Sequence, residues 1–123
     1  MNIAIWVAQA VLAATFLGAG LMKLVKGRDE LEGSMPAMAD LSPSTVKLTG
    51  LAETLGALGL ILPAATGIAP VLTPIAATAL AVVMLLAAVT HARRREPSAI
   101  AVNAVLFALL GVVAWARFGP VAI

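Results

Sequence analysis

The sequence predicts an all-α integral membrane protein, a four-helix bundle, and three observations predict it. The chain of 123 residues is 62% hydrophobic and only 11% charged, whereas soluble domains run near about 25% charged. Its mean hydropathy is +1.06. Its apolar residues fall into four runs, each close to the roughly 20 residues that a helix needs to cross a bilayer. Four such spans with short connections nearly exhaust the length, so residues 1–123 read as one membrane domain with no room for a separate soluble catalytic module.

The first span covers about residues 3–25. It has no basic leader and is too long for a cleaved signal, so it is expected to be retained. Ala10, Ala14 and Gly18 recur every four residues and form a small-residue stripe of the kind that admits a neighbouring helix. Lys23 to Glu32 is the most charged stretch, and residues 28–44 are too polar to span and are expected at the interface. Ser42-Pro43 is a helix-start signature, a hydroxyl cap followed by a proline whose missing N–H is not needed there. The second span runs from about 43 to 62 and is expected to stop at Pro63, with a short uncharged turn over 64–69. Pro70 and Pro74 open the third span, about 70–91. His91 to Pro97 is a compact basic loop, and the fourth span covers about 97–116.

Lys23, Lys26, Arg28, Lys47, Arg93, Arg94 and Arg95 fall at one side of this bundle and only Arg117 at the other. Basic residues mark the cytoplasmic side. The loops joining spans one to two and three to four are therefore expected in the cytoplasm, with both termini outside, and the expected location is the inner (cytoplasmic) membrane. The net charge of +2 and pI near 9.7 reflect these membrane edges, and nucleic acid is not an expected partner. The absence of cysteine removes thiolate chemistry and Cys-based metal sites. A lone histidine argues against haem and zinc, so no metal and no covalently bound cofactor is expected.

Glu53 is a lone carboxylate inside a long apolar run. Such a group is normally paired, protonated or turned to a polar cavity, and it marks a functional site by default. Gly50, Gly56 and Ala57 share its helical face, so Glu53 is expected to point into the bundle. Glu53 lies six residues past Lys47 and Asn103 six past Pro97, each about 9 Å into the membrane from the basic side. Side chains lean towards the N-terminus of their helix, so Lys23 and His91 lean inward to meet them, and the four groups are expected in one layer. Each has two readings. Glu53 is either interhelical glue, paired with Lys23 or Asn103, or a proton-handling, ligand-anchoring group. Lys23 is a snorkelling lysine or the counter-ion of Glu53. His91 is an interfacial histidine or a proton relay, and Asn103 is a packing amide or a ligand contact. Catalytic roles fall to Glu53 and His91, and ligand binding to Lys23 and Asn103.

The chain also resembles a known family. Gly20-Leu21-Met22-Lys23-Leu24 resembles the G-x-x-K-L ending of the first helix of DoxX-like membrane proteins. Glu53 with Gly56, Gly59, Leu60 and Pro63 is similar to their E-x-x-G-x-x-G-L-x-L-P second helix. Met84, Ala87, His91 and Arg93 resemble the M-x-x-A-x-x-x-H-x-R ending of their third. The resemblance implies a four-helix bundle, with wider relatives associated with thiosulfate:quinone oxidoreduction and methylamine-utilisation maturation. The expected function is binding of a lipophilic molecule, quinone or isoprenoid-like, in a polar intramembrane site tied to redox metabolism. A redox partner protein is expected, because the chain has no electron carrier of its own. Two alternatives stand beside it: a membrane enzyme with Glu53 as acid or base on a lipophilic substrate (isomerase, epoxide-opening or cyclase type), and a structural or assembly factor. The small-residue stripe is also compatible with a homodimer.

Overall fold

The computed structural model describes residues 2–25 and 43–119. Among them the chain forms four helices and no strand: α1 (Asn2–Val25), α2 (Pro43–Thr66), α3 (Leu72–Arg93) and α4 (Pro97–Phe118). Each is long and apolar enough to cross a membrane. Most of the 28–44 segment expected at the interface lies outside the described residues, as do Lys26, Arg28 and Ser42. Antiparallel order follows from the contacts: Gln9, Lys23 and Leu24 of α1 meet Leu60, Glu53 and Lys47 of α2, in reverse sequence. Successive helices are neighbours, and α4 closes back on α1 across the most sparsely packed seam of the ring.

The outer surface is as apolar as the core. Leu12, Phe16, Leu60, Leu80, Leu110 and Val113 are buried, while Val7, Leu55, Leu86, Val102 and Val105 are exposed. A water-soluble helix carries polar residues on its outer face; here the outer face is suited to acyl chains, and the protein is a multi-pass membrane protein in contact with lipid.

The end of α2 differs from expectation. Pro63 does not stop the helix, which continues to Thr66. Proline removes only its own N–H, leaving the carbonyl four residues back without its usual donor. That carbonyl belongs to Gly59, and Thr73 Oγ1 of α3 donates to it at 2.9 Å. Neighbouring side chains commonly restore such bonds in membrane helices. The real stop is Gly67, whose φ of +74° suits glycine at a helix C-terminus. At the opposite end of α3 the chain turns through Arg95 at φ +55°. There Glu96 N–H donates to His91 O and Arg95 N–H to Ala92 O, the paired bonds that close a helix C-terminus. Pro97 then starts α4 at a position where its missing N–H leaves nothing unpaired.

The Ala10/Ala14/Gly18 stripe does not face a neighbour inside the bundle. Ala10 and Ala14 are exposed, and a Cβ added at Gly18 meets nothing within 4 Å. The close approach of α1 and α2 occurs instead at Gly20 and Gly50. A Cβ at Gly20 would stand 2.7 Å from Thr54 N and 2.8 Å from Gly50 O, and one at Gly50 would stand 2.7 Å from Lys23 Cβ. Gly20→Ala is therefore expected to destabilise the bundle by about 1–3 kcal/mol through overpacking against backbone. Gly18→Ala, two positions away, is expected to be neutral or slightly stabilising, since alanine is the better helix former. Thermal denaturation in detergent checks the contrast; equal melting of the two variants would be inconsistent with this packing.

Candidate functional site

Two polar layers cross the apolar core. The first lies near the basic end of the bundle, where Lys23, Lys47 and Arg93–Arg95 gather. Gly20 and Gly50 bring the α1 and α2 backbones together, and this lets Lys23 reach across. Lys23 Nζ donates to Glu53 Oε1 at 2.6 Å, with side-chain exposures of only 9% and 4%. Glu53 shares the inner face of α2 with the buried Gly50, Gly56, Ala57 and Leu60, as its spacing predicts. Of the two readings of Lys23, the structure takes the counter-ion: a snorkelling lysine would leave its ammonium in water.

The second layer lies towards the chain termini and was not singled out from sequence. Arg117 of α4 is buried, and its Nε donates to Gln9 Oε1 and its Nη1 to Asn2 Oδ1, both at 2.7 Å. The same guanidinium stands 5.3 Å from the centre of the Trp6 ring, a cation–π contact. Gln9 Nε2 in turn donates to Leu60 O, beside the Pro63 break in α2. The available signal was Gln9 itself, an amide within an apolar span, two heptads before Lys23.

The Arg117–Gln9 bond fixes the register of α1 against α4. Counting back fourteen residues from Arg117 reaches Asn103, and counting forward fourteen from Gln9 reaches Lys23. Equal rises of about 21 Å along antiparallel helices place Asn103 level with Lys23. Two heptads also return each residue nearly to its starting face, with a drift of about 40°. Asn103 is only 8% exposed, and its amide nitrogen is buried without a hydrogen-bond partner among the described residues. The Lys23–Glu53 pair and Asn103 thus occupy one level, but no bond joins them.

His91 does not share that level. Gly56 packs against Leu80, so Met84, one turn further along α3, stands level with Glu53. His91 lies seven residues beyond, about 10 Å nearer the basic rim. There its Nδ1–H donates to Glu96 Oε1 at 2.8 Å, and Arg94 Nε lies 3.8 Å from the same oxygen. The turn through Arg95 folds Glu96 back onto His91, and this carboxylate captures the imidazole. The expected four-group layer is therefore a three-group layer with a separate His91–Glu96 clasp above it. Among the described residues no three His, Asp or Glu side chains gather as a metal site.

Removing one partner of a buried ion pair strands the other charge. Lys23→Met is expected to destabilise the bundle by about 3–5 kcal/mol. Adding Glu53→Leu to that variant should restore much of the loss. A double-mutant cycle by chemical denaturation in detergent measures both; additive losses would show that the two groups do not stabilise one another.

The three sequence motifs now have structural counterparts: the Gly20–Lys23 approach, the Glu53–Pro63 inner face and the Met84–His91 run. A model of the DoxX-like family matches residues 7–113. No curated protein and no solved structure matches the chain. On the extent of that match and a bundle of four membrane helices, this chain belongs to the DoxX-like family.

Proposed function

We propose that the protein binds a lipophilic molecule, quinone or isoprenoid-like, at the level of Lys23, Glu53 and Asn103, and that it serves redox metabolism in the inner membrane with a partner protein carrying the electrons. The observation that carries this reading is the buried Lys23–Glu53 pair, set within a span and level with an amide whose nitrogen has no partner among the described residues. Ionisable groups inside a membrane cluster at ligand and proton pathways. In this reading Glu53 holds Lys23 in place, and the remaining N–H groups of Lys23 and the Asn103 amide meet the polar head of the ligand. The apolar helix faces receive its tail. His91, clasped by Glu96 nearer the rim, stands between this level and water and serves as the proton relay. The Lys and Arg residues at that end support a cytoplasmic position for it, with the chain termini outside. The outward Ala10/Ala14/Gly18 face suits a second copy of the chain.

The same pair also supports a structural reading, in which Lys23 and Glu53 fix the register of α1 on α2 and nothing binds. An enzyme reading, with Glu53 as acid or base, predicts turnover by the isolated protein. Native mass spectrometry with lipid extraction, on wild type and Glu53→Gln in mild detergent, separates these. A quinone or isoprenoid that co-purifies with wild type and is lost from Glu53→Gln is the expected result. An empty wild type, with a variant that only melts earlier, would assign the pair to structure.

A further inference from the structure

We propose that the turn between α3 and α4 holds the phosphate of an anionic phospholipid with Arg93 and Arg95, while an acyl chain of that lipid lies along an apolar stripe of α3. This surface is separate from the Lys23–Glu53 level and does not depend on what binds there. The argument begins with charge. The turn carries three arginines, Arg93, Arg94 and Arg95, and one carboxylate, Glu96. Glu96 is already engaged: His91 Nδ1 lies 2.8 Å and Arg94 Nε 3.8 Å from its Oε1. Glu53, the other carboxylate side chain among the described residues, is paired with Lys23. Arg93 and Arg95 are exposed, and among the described residues neither meets an acidic group. A guanidinium presents its N–H donors in a planar fork that matches phosphate oxygens. The backbone of the turn is also tied down. Arg95 N–H donates to Ala92 O and Glu96 N–H to His91 O, and the His91–Glu96 side-chain bond draws the far side of the turn back onto α3.

The surface below Arg93 favours a lipid over a free phosphate. Val82, Leu86, Val89 and Arg93 are spaced by four, three and four residues, so they fall in one stripe within about 60° around the helix. All four are exposed. The stripe rises about 16 Å along α3, close to half of the hydrocarbon thickness of a bilayer and so to the depth of one leaflet. An acyl chain laid on Val89, Leu86 and Val82 brings its head group to Arg93. A free phosphate gains nothing from these side chains. Head-group charge decides among lipids: a zwitterionic head group brings its own cation to the arginines, whereas an anionic one brings net negative charge that basic residues at the membrane surface attract.

The test uses the full chain in mild detergent, with binding of dioleoyl phosphatidylglycerol and dioleoyl phosphatidylcholine followed by native mass spectrometry. The two lipids share their acyl chains and differ in head-group charge. Wild type is expected to bind phosphatidylglycerol at least about fivefold more tightly, the worth of one basic residue at an anionic surface. Arg93→Gln and Arg95→Gly are each expected to lose about fivefold for phosphatidylglycerol and little for phosphatidylcholine. Arg95→Gly separates binding from folding. Its backbone is left-handed at φ +55°, where glycine is unstrained, so this variant is expected to melt at or above wild type. Loss of lipid only together with a lower melting temperature would assign Arg95 to the fold and overturn its part in the site. Equal affinity of wild type for the two lipids overturns the proposal, as does an Arg93→Gln/Arg95→Gly double variant that binds phosphatidylglycerol as wild type does. Displacement of phosphatidylglycerol by millimolar inorganic phosphate would make the turn a simple anion site and overturn the assignment to a lipid.

Discussion

A bilayer offers no water to an unmatched polar group, and the arrangement of this bundle follows from how its few polar side chains are accommodated. The decisive case is the Lys23–Glu53 pair. It requires α1 and α2 to approach closely enough for a lysine on one to meet a carboxylate on the other inside the apolar core. Gly20 and Gly50 make that approach possible, since a Cβ on either would collide with the opposing helix. Close backbone approach, buried charge pairing and the inward face of α2 are one structural fact seen from three sides.

The second layer applies the same rule at the other end. Pro63 leaves Gly59 O without its helical donor, and Thr73 supplies one. Gln9 reaches the adjacent Leu60 O and accepts from Arg117 in the same gesture. The only basic residue on that side of the sequence is thereby drawn into a network that ties α4 to α1. Both polar groups of Gln9 are used, as donor to Leu60 and as acceptor from Arg117. The two polar layers thus tie different pairs of helices: the terminal one joins α4 to α1, and the basic one joins α1 to α2.

The inward direction of Glu53 was legible from sequence because small residues three and four positions away mark a helix-contact face. The Lys23 pairing was legible as one of two readings, and choosing between them needed the α1–α2 distance. The layer including His91 was misjudged for a local reason. The lean of side chains along a helix was used, but the turn through Arg95, which returns Glu96 to His91, is set by a left-handed residue that periodicity does not reveal. Pro63 was taken as a stop because proline breaks soluble helices, and here a threonine ten positions on compensates for it. The Ala10/Ala14/Gly18 stripe was assigned to a helix contact when the contact belongs to Gly20, two residues further along.

By itself the sequence determined the membrane, the four helices and the sites of polar residues within them, because these depend on local composition and on a fixed rise of 1.5 Å per residue. Only the tertiary structure decided which polar groups meet. Pairing across helices depends on rotation and register, and those are set by distant residues such as Gly50 for Lys23 and Gln9 for Arg117. A periodic pattern identifies the face of a helix, but the hydrogen-bond partner on that face belongs to another part of the chain.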